Sequence, residues 1–200
     1  MGTSGPTEAS STKRHALIVD MDGTLASARW RDHVLSSPAT DAEWDRLFEL
    51  SADDPVVPHV AQFARDAALD HVDVVIATGR PERCRELIGR WLDRNDIPYS
   101  ALLLRADADR RPTWAAKADM VAQVVLPRWE VRGAIDDDPR VAGAFAELGV
   151  PTRLVDDPGL FPSGPRFAAP WAYESPHAVP GLAMQFELHP PVSDSPCPCV

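Results

Sequence analysis

Lysine is nearly missing from this 200-residue chain: of 20 basic residues only Lys13 and Lys117 are lysines, leaving 18 arginines. Cysteine is scarce as well, with Cys84, Cys197 and Cys199 alone. An odd count without framework spacing argues against a disulfide scaffold and fits a reducing, cytoplasmic setting. The terminal Cys-Pro-Cys-Val has no aliphatic pair for prenylation and no further ligands nearby for a structural metal. No run approaches 18 consecutive apolar residues, so no transmembrane helix and no membrane partner are expected. Met1 to Thr12 is rich in Gly, Ser, Thr and Pro and carries no apolar segment of a signal peptide. An excess of positive charge is also lacking. The formal net charge of -10 argues against a polyelectrolyte-type nucleic-acid binder for the chain as a whole.

What is present is an ordinary globular composition, 44% hydrophobic and 25% charged, sufficient for one sizeable core. Five short runs rich in Val, Ile and Leu recur: His15–Asp20, Val72–Thr78, Ala101–Arg105, Val131–Asp136 and Thr152–Asp156. Such runs read as parallel strands buried on both faces. Helical segments are predicted between them. Thr40 and Glu43 form a capping box for a helix to about Leu50. A second spans Pro58 to about Ala68. Pro81 suits the first turn of a helix to about Arg94. Thr113 is the expected cap of one to about Leu126, and Pro139 opens another to about Leu148. The alternation predicts an α/β fold: a doubly wound, Rossmann-like parallel sheet of about five strands with helices on both faces. Residues 1–12 are expected to form a flexible tail and 13–157 the folded domain. Residues 158–200 hold ten of the twenty prolines and read as an extended appendage.

Polar groups collect at the carboxyl ends of these strands, where open α/β sheets place their crevice. The first strand ends in Asp20-Met21-Asp22-Gly23-Thr24, and Gly23 permits a tight turn. Alone, Asp-x-Asp-Gly is also a common turn. The second strand ends in Thr78-Gly79-Arg80: a hydroxyl, a flexible amide and a guanidinium, suited to a phosphate or to an ordinary strand-to-helix turn. The fourth ends in Asp136-Asp137-Asp138, carboxylates that repel one another unless a cation or a helix N-terminus compensates. Lys117 lies one turn into the helix before that strand.

In this order the four features resemble the haloacid-dehalogenase-like (HAD) phosphohydrolase superfamily. More narrowly, Asp20-Met-Asp-Gly-Thr-Leu-Ala, Arg29/Arg31, Thr78-Gly-Arg80, Arg105…Asp109-Arg-Arg111…Lys117 and Ile135-Asp-Asp resemble the 3'-phosphatase domain of phage-type polynucleotide kinase-phosphatases. The likeness covers roughly residues 15–156. Thr113 stands where that family usually has an Asp, and Asp138 adds a third acid to the usual pair. No Gly-x-x-x-x-Gly-Lys-Ser/Thr loop of a kinase half occurs. The resemblance implies a phosphoric monoester hydrolase that uses Mg2+ held by Asp20, Asp22, Asp136 and Asp137. It implies that Asp20 attacks phosphorus, Asp22 is the general acid and base, and Lys117 balances charge. Thr24, Thr78, Gly79, Arg80, Arg111 and one of Arg29 or Arg31 are the implied phosphate or substrate contacts; spacing does not choose between the last two.

The interval from Ala26 to His71 has room for two helices and not for a full α/β cap, so an open site without a large cap domain is expected. Charge is distributed unevenly: residues 1–77 carry -7, 78–132 carry +3 and 133–200 carry -6. The positive third holds Arg105, Arg110 and Arg111 beside Trp114, and Arg29-Trp30-Arg31 follows the first motif. Arginine beside tryptophan can pair a phosphate and stack a base; the same residues also suit a solvated face and a core. The favoured substrate is a polynucleotide 3'-end, as in repair of nucleic acid. Free nucleotides or other small phosphate monoesters are the alternative, and a silent binding module is the third. The sequence implies no protein partner.

Overall fold

The structure, a computed structural model, describes residues 13–36 and 39–155. The expected N-terminal tail, the proline-rich extension and Cys197 and Cys199 lie outside the described residues.

Five strands form one parallel sheet: β1 (Arg14–Val19), β2 (Asp73–Pro81), β3 (Ala101–Arg105), β4 (Trp129–Asp136) and β5 (Thr152–Leu154). Their spatial order is β3-β2-β1-β4-β5. The chain builds outward from β1 on one side, then returns to build on the other. The junction of β1 and β4 is thus the topological switch point, where loops diverge and leave a crevice. Side chains alternate across the sheet. Leu17, Val19, Val74 and Ile76 enter one core with residues of helices α1 (Asp41–Leu50), α2 (Pro58–Leu69) and α3 (Arg85–Arg94). Ala16, Ile18, Val75 and Ala77 enter the other, against Val121 and Val125 beyond α4 (Thr113–Met120) and Val141 and Phe145 of α5 (Pro139–Glu147). Both faces of β1 and β2 are therefore covered, which is why these strands read as unbroken apolar runs rather than alternating ones. The expected doubly wound α/β fold is observed.

Local rules account for most helix starts. Thr40 and Glu43 do form a reciprocal capping box at α1. Pro58 and Pro139 occupy the first turns of α2 and α5, and Asp138 caps α5 by accepting the Arg140 N–H at 2.9 Å. Three expectations are corrected. Pro81 ends β2 instead of opening a helix: after an irregularity beyond Thr78 the strand resumes pairing, Pro81 opposite Arg105. Pro needs no ladder donor at such a bulge. Thr113 does not cap α4; Pro112 holds that position and the Thr113 hydroxyl is buried without a partner. Nor does α4 run unbroken to Leu126. It widens at Val121–Val125, where the Leu126 N–H reaches back five residues to the Val121 carbonyl at 2.9 Å.

Between β1 and β2 the described residues hold only short helical turns (Arg29–Val34 and Ser51–Asp53), α1 and α2. Among the described residues no α/β cap covers the strand ends. Among the described residues no helix is long and apolar enough to cross a membrane.

Candidate active site

β1 delivers Asp20 to the switch point. Its N–H donates to the Ile135 carbonyl of β4 at 3.0 Å, which ties the end of one strand to the end of its neighbour. β4 delivers Asp136 alongside. Lys117, on α4, reaches between them: its Nζ lies 2.6 Å from Asp20 Oδ1 and 2.8 Å from Asp136 Oδ2. All three side chains are buried. Burial alone would strip the lysine's proton. Asp136 and Asp20 outweigh burial and hold the ammonium firmly charged.

Asp137 stands at the mouth, exposed to solvent, with one carboxylate oxygen within 4.8 Å of oxygens from Asp20 and Asp136. Burial raises the Asp20 and Asp136 carboxyls, Lys117 opposes it, and crowding among the acids adds to the rise at Asp20. Desolvation and then Asp136 push Asp137 up to about 7. Three carboxylates facing one ammonium leave two negative charges uncompensated. Oxygens on a Mg2+ at about 2.1 Å lie about 3 to 4 Å apart, so small adjustments would bring this hard-oxygen set onto a divalent cation. The donor chemistry and the charge both fit.

Gly23 makes the turn after β1 with φ at +80°, a conformation that favours glycine. A Cβ there would meet the Asp137 carboxylate, its Cγ at 2.7 Å. The motif-one turn and the acidic pair are thus packed against each other. Gly79 is equally confined: a Cβ would lie 2.5 Å from Thr113 Cγ2. Thr78 is buried, and its hydroxyl accepts the Arg80 N–H at 3.2 Å. The Thr24 hydroxyl is buried without a partner among the described residues.

Asp22 occupies a second charged pocket. Arg80 Nε donates to its Oδ2 at 2.7 Å and Arg80 Nη2 to its Oδ1 at 2.5 Å, while Arg31 Nη2 also pairs with Oδ1. Burial would raise this carboxyl; Arg80 and then Arg31 outweigh it and hold it below the ordinary range. The expected residues thus fall in two groups: Asp20, Lys117, Asp136 and Asp137 in one, and Asp22, Arg31, Arg80 and Thr78 in the other, while Gly79 faces Thr113. Arg29 and Arg111 are part of neither group. Arg29 is exposed, and Arg111 is held by Asp109 and Asp119 on the surface. Arg31 and Arg80 are fully buried with their guanidiniums turned onto Asp22. Two members went unnoticed in the sequence. Asp54 receives Arg31, and Ser51 receives Arg80 Nη1 at 2.7 Å. Asp54 lies in Asp53-Asp54-Pro55, which looks like any polar turn, and Ser51 has no motif around it.

A parallel sheet of this order, with a nucleophile-type aspartate at β1, an acidic pair at β4 and a lysine between them, defines the class: a HAD-like phosphoric monoester hydrolase. The model of the family described as "Polynucleotide kinase PNKP phosphatase domain" matches residues 14–159, and the chain belongs to that family. A solved chain from the Pnkp1/Rnl/Hen1 complex is similar at 25% identity with a TM-score of 0.61, over 75% of this chain and 48% of that one. A chain from the Pnkp1/Rnl/Hen1 RNA repair complex shows 24% identity and a TM-score of 0.60, over 76% of this chain and 45% of that one. The present chain thus spans about half the length of these solved chains. A class C acid phosphatase from Bacillus anthracis shares the fold, at 14% identity and a TM-score of 0.54, over 74% of this chain and 69% of that one.

Proposed function

We propose that this phosphatase removes phosphate from polynucleotide 3'-ends through an aspartyl-phosphate on Asp20. The observation that carries the chemistry is Asp20 itself: a buried carboxylate at the switch point, in contact with Lys117 at 2.6 Å. A phosphate monoester repels an anionic nucleophile, so positive charge must meet both. Asp20, Asp136, Asp137 and the main-chain carbonyl of Asp22 would hold Mg2+, whose charge neutralises the carboxylates and the phosphoryl oxygens when it is bound.

In the first step an Asp20 oxygen bonds to phosphorus and the ester P–O bond breaks. Asp22, once it has taken a proton from solvent, gives it to the leaving oxygen; because Arg80 and Arg31 lower that carboxyl, the protonated form is the minor one. Lys117 stabilises the charge that develops, and Thr24, Thr78 and Gly79 hold phosphoryl oxygens. In the second step water attacks phosphorus, Asp22 takes a proton from it, and the Asp20–phosphorus bond breaks. Held as a carboxylate by Arg80 and Arg31, Asp22 is set for that second role. Both guanidiniums are buried and engaged on Asp22 and Asp54, so direct contact of Arg31 or Arg80 with substrate would require this network to open.

Support for a polynucleotide end comes from the missing cap, from the family, and from the likeness to a chain of an RNA repair complex. A groove beside Pro81 adds to it. Trp44 and Phe48 line it together with Arg83, Arg105 and Arg110, interleaved with Asp41, Asp107 and Asp109, and the Arg83 guanidinium lies 5.8 Å from the Phe48 ring centroid. Aromatic rings with arginines suit stacked bases and a phosphate backbone. Arg105 and Arg110, which the sequence pairs with Arg111 and Trp114, line this groove; Arg111 and Trp114 do not. Comparing phosphate release from a 3'-phosphorylated oligonucleotide with that from 3'- and 5'-mononucleotides tests the assignment. A higher kcat/KM for the oligonucleotide is expected. Preference for mononucleotides would overturn it in favour of a small-ester phosphatase.

A further inference from the structure

We propose that Asp54 is a positioning residue of the reaction, acting on Asp22 through Arg31 and Arg80. This rests on the role given to Asp22 above. The Asp54 side chain is fully buried. Its Oδ1 accepts Arg31 Nε at 2.8 Å and the Trp30 indole N–H at 2.8 Å. Its Oδ2 accepts Arg31 Nη2 at 2.7 Å and Arg80 Nη2 at 3.3 Å. The same two Nη2 groups bond to Asp22 Oδ1. Each of these two nitrogens is therefore shared between Asp54 and Asp22. Two guanidiniums and two carboxylates form a closed, charge-balanced quartet.

Asp54 is itself fixed from outside the quartet. Its carbonyl accepts the Trp91 indole N–H at 2.9 Å, and its N–H donates to the Ser51 carbonyl at 3.3 Å. Ser51 meanwhile receives Arg80 Nη1 and donates its hydroxyl to the Phe48 carbonyl at 2.6 Å. The short turn Ser51–Asp53 thus braces both arginines from behind, while Asp22 meets them from the front. A fork gripped on one edge by Asp54 has its other edge fixed in direction, and the Asp22 carboxylate takes its orientation from two such forks. Removing Asp54 leaves two guanidiniums facing one carboxylate, so both forks can turn and Asp22 moves with them.

Leaving-group chemistry separates this role from a purely structural one. A nitrophenolate leaves without help, whereas an alkoxide needs a proton from Asp22 as its bond breaks. The ratio kcat/KM reports the steps through ester cleavage and is blind to later hydrolysis of the phosphoenzyme. Benzyl phosphate and 4-nitrophenyl phosphate, similar in size, are compared for wild type and Asp54→Asn with Mg2+. A misplaced acid costs about 10²-fold, so kcat/KM for benzyl phosphate should fall about 10- to 100-fold, with less than about a 3-fold change for the nitrophenyl ester. Trp30→Phe removes one donor to Asp54 from a ring that is 43% exposed, and so decides the matter should Asp54→Asn not fold. It should show the same selectivity at about 2- to 5-fold. Equal losses on both esters, or an unchanged ratio between them, would overturn the proposal while leaving the phosphatase reading intact. Silence of the wild type on both esters would overturn that reading, and this proposal with it.

Discussion

Lys117→Met removes the ammonium between Asp20 and Asp136 and retains a flexible, unbranched stem. At 2.6 and 2.8 Å, each ion pair carries about 6 kcal/mol of gross attraction at an effective dielectric of about 20. Desolvation of three buried charges offsets much of this. The variant therefore exposes the cost of the partners it strands: two buried carboxylates without their cation, about 3–5 kcal/mol. Set against a domain stability of about 5–15 kcal/mol, that is a large share. The deficit should be greatest in metal-free buffer at neutral pH. It should shrink in acid, because burial already raises both carboxyls and a bound proton relieves the stranded pair. Urea unfolding of both proteins at about pH 7.5 and about pH 5 without metal measures it. Phosphate release with Mg2+ should fall about 10²- to 10³-fold, as when a preorganised charge is removed from a transition state. An unchanged urea midpoint at neutral pH, or undiminished phosphate release, would refute the reasoning.

Four further outcomes are expected. In the metal-free protein Asp20 and Asp136 are raised and Asp137 is pushed up to about 7. These acids bind protons more tightly folded than unfolded, so stability should decline as pH rises from about 4 to about 7. Asp22, whose carboxyl is lowered, acts only below that window, where its contribution is lost as pH falls. Mg2+ at about 100 times its Kd should add about 2.7 kcal/mol at neutral pH and flatten the decline; calorimetry with and without chelator checks both. Gly23→Ala forces a Cβ against Asp137 at a left-handed φ and should cost about 1–3 kcal/mol together with most of the phosphatase activity. Asp138→Ala removes the α5 cap and should cost about 1 kcal/mol in a thermal melt, while Mg2+-dependent activity persists.

The strands were legible because β1 and β2 are buried on both faces, so their apolar runs stand out from any neighbouring segment. The acids were legible because Asp20 and Asp136 each close an apolar run and the family resemblance joins them; sheet order then carries them to adjacent strand ends. The pocket around Asp22 was not. Asp54 meets Arg31 across 23 residues of sequence and Arg80 across 26, and no periodicity or motif links those positions. The sequence also left Arg29 and Arg31 as equals. Only the short helical turn Arg29–Val34 separates them, burying Arg31 against Asp22 and leaving Arg29 exposed. Pro81 was misread because its fixed φ suits a helix start and an irregular strand end alike, and pairing with β3 decides between them. The scarce lysine at 117 proves to be the cation between two buried carboxylates, where a compact ammonium fits and a planar fork would be too broad.

Covalent chemistry at Asp20 is tested by trapping the phosphorylated intermediate. The enzyme with Mg2+ is mixed with a 3'-phosphorylated oligonucleotide, quenched in acid within the first turnover, and digested for peptide mass analysis. One phosphoryl group is expected on the peptide containing Asp20, removable by hydroxylamine and absent from Asp20→Asn, which should release no phosphate. Undiminished phosphate release by Asp20→Asn, with no phosphorylated peptide in the wild type, would contradict that chemistry.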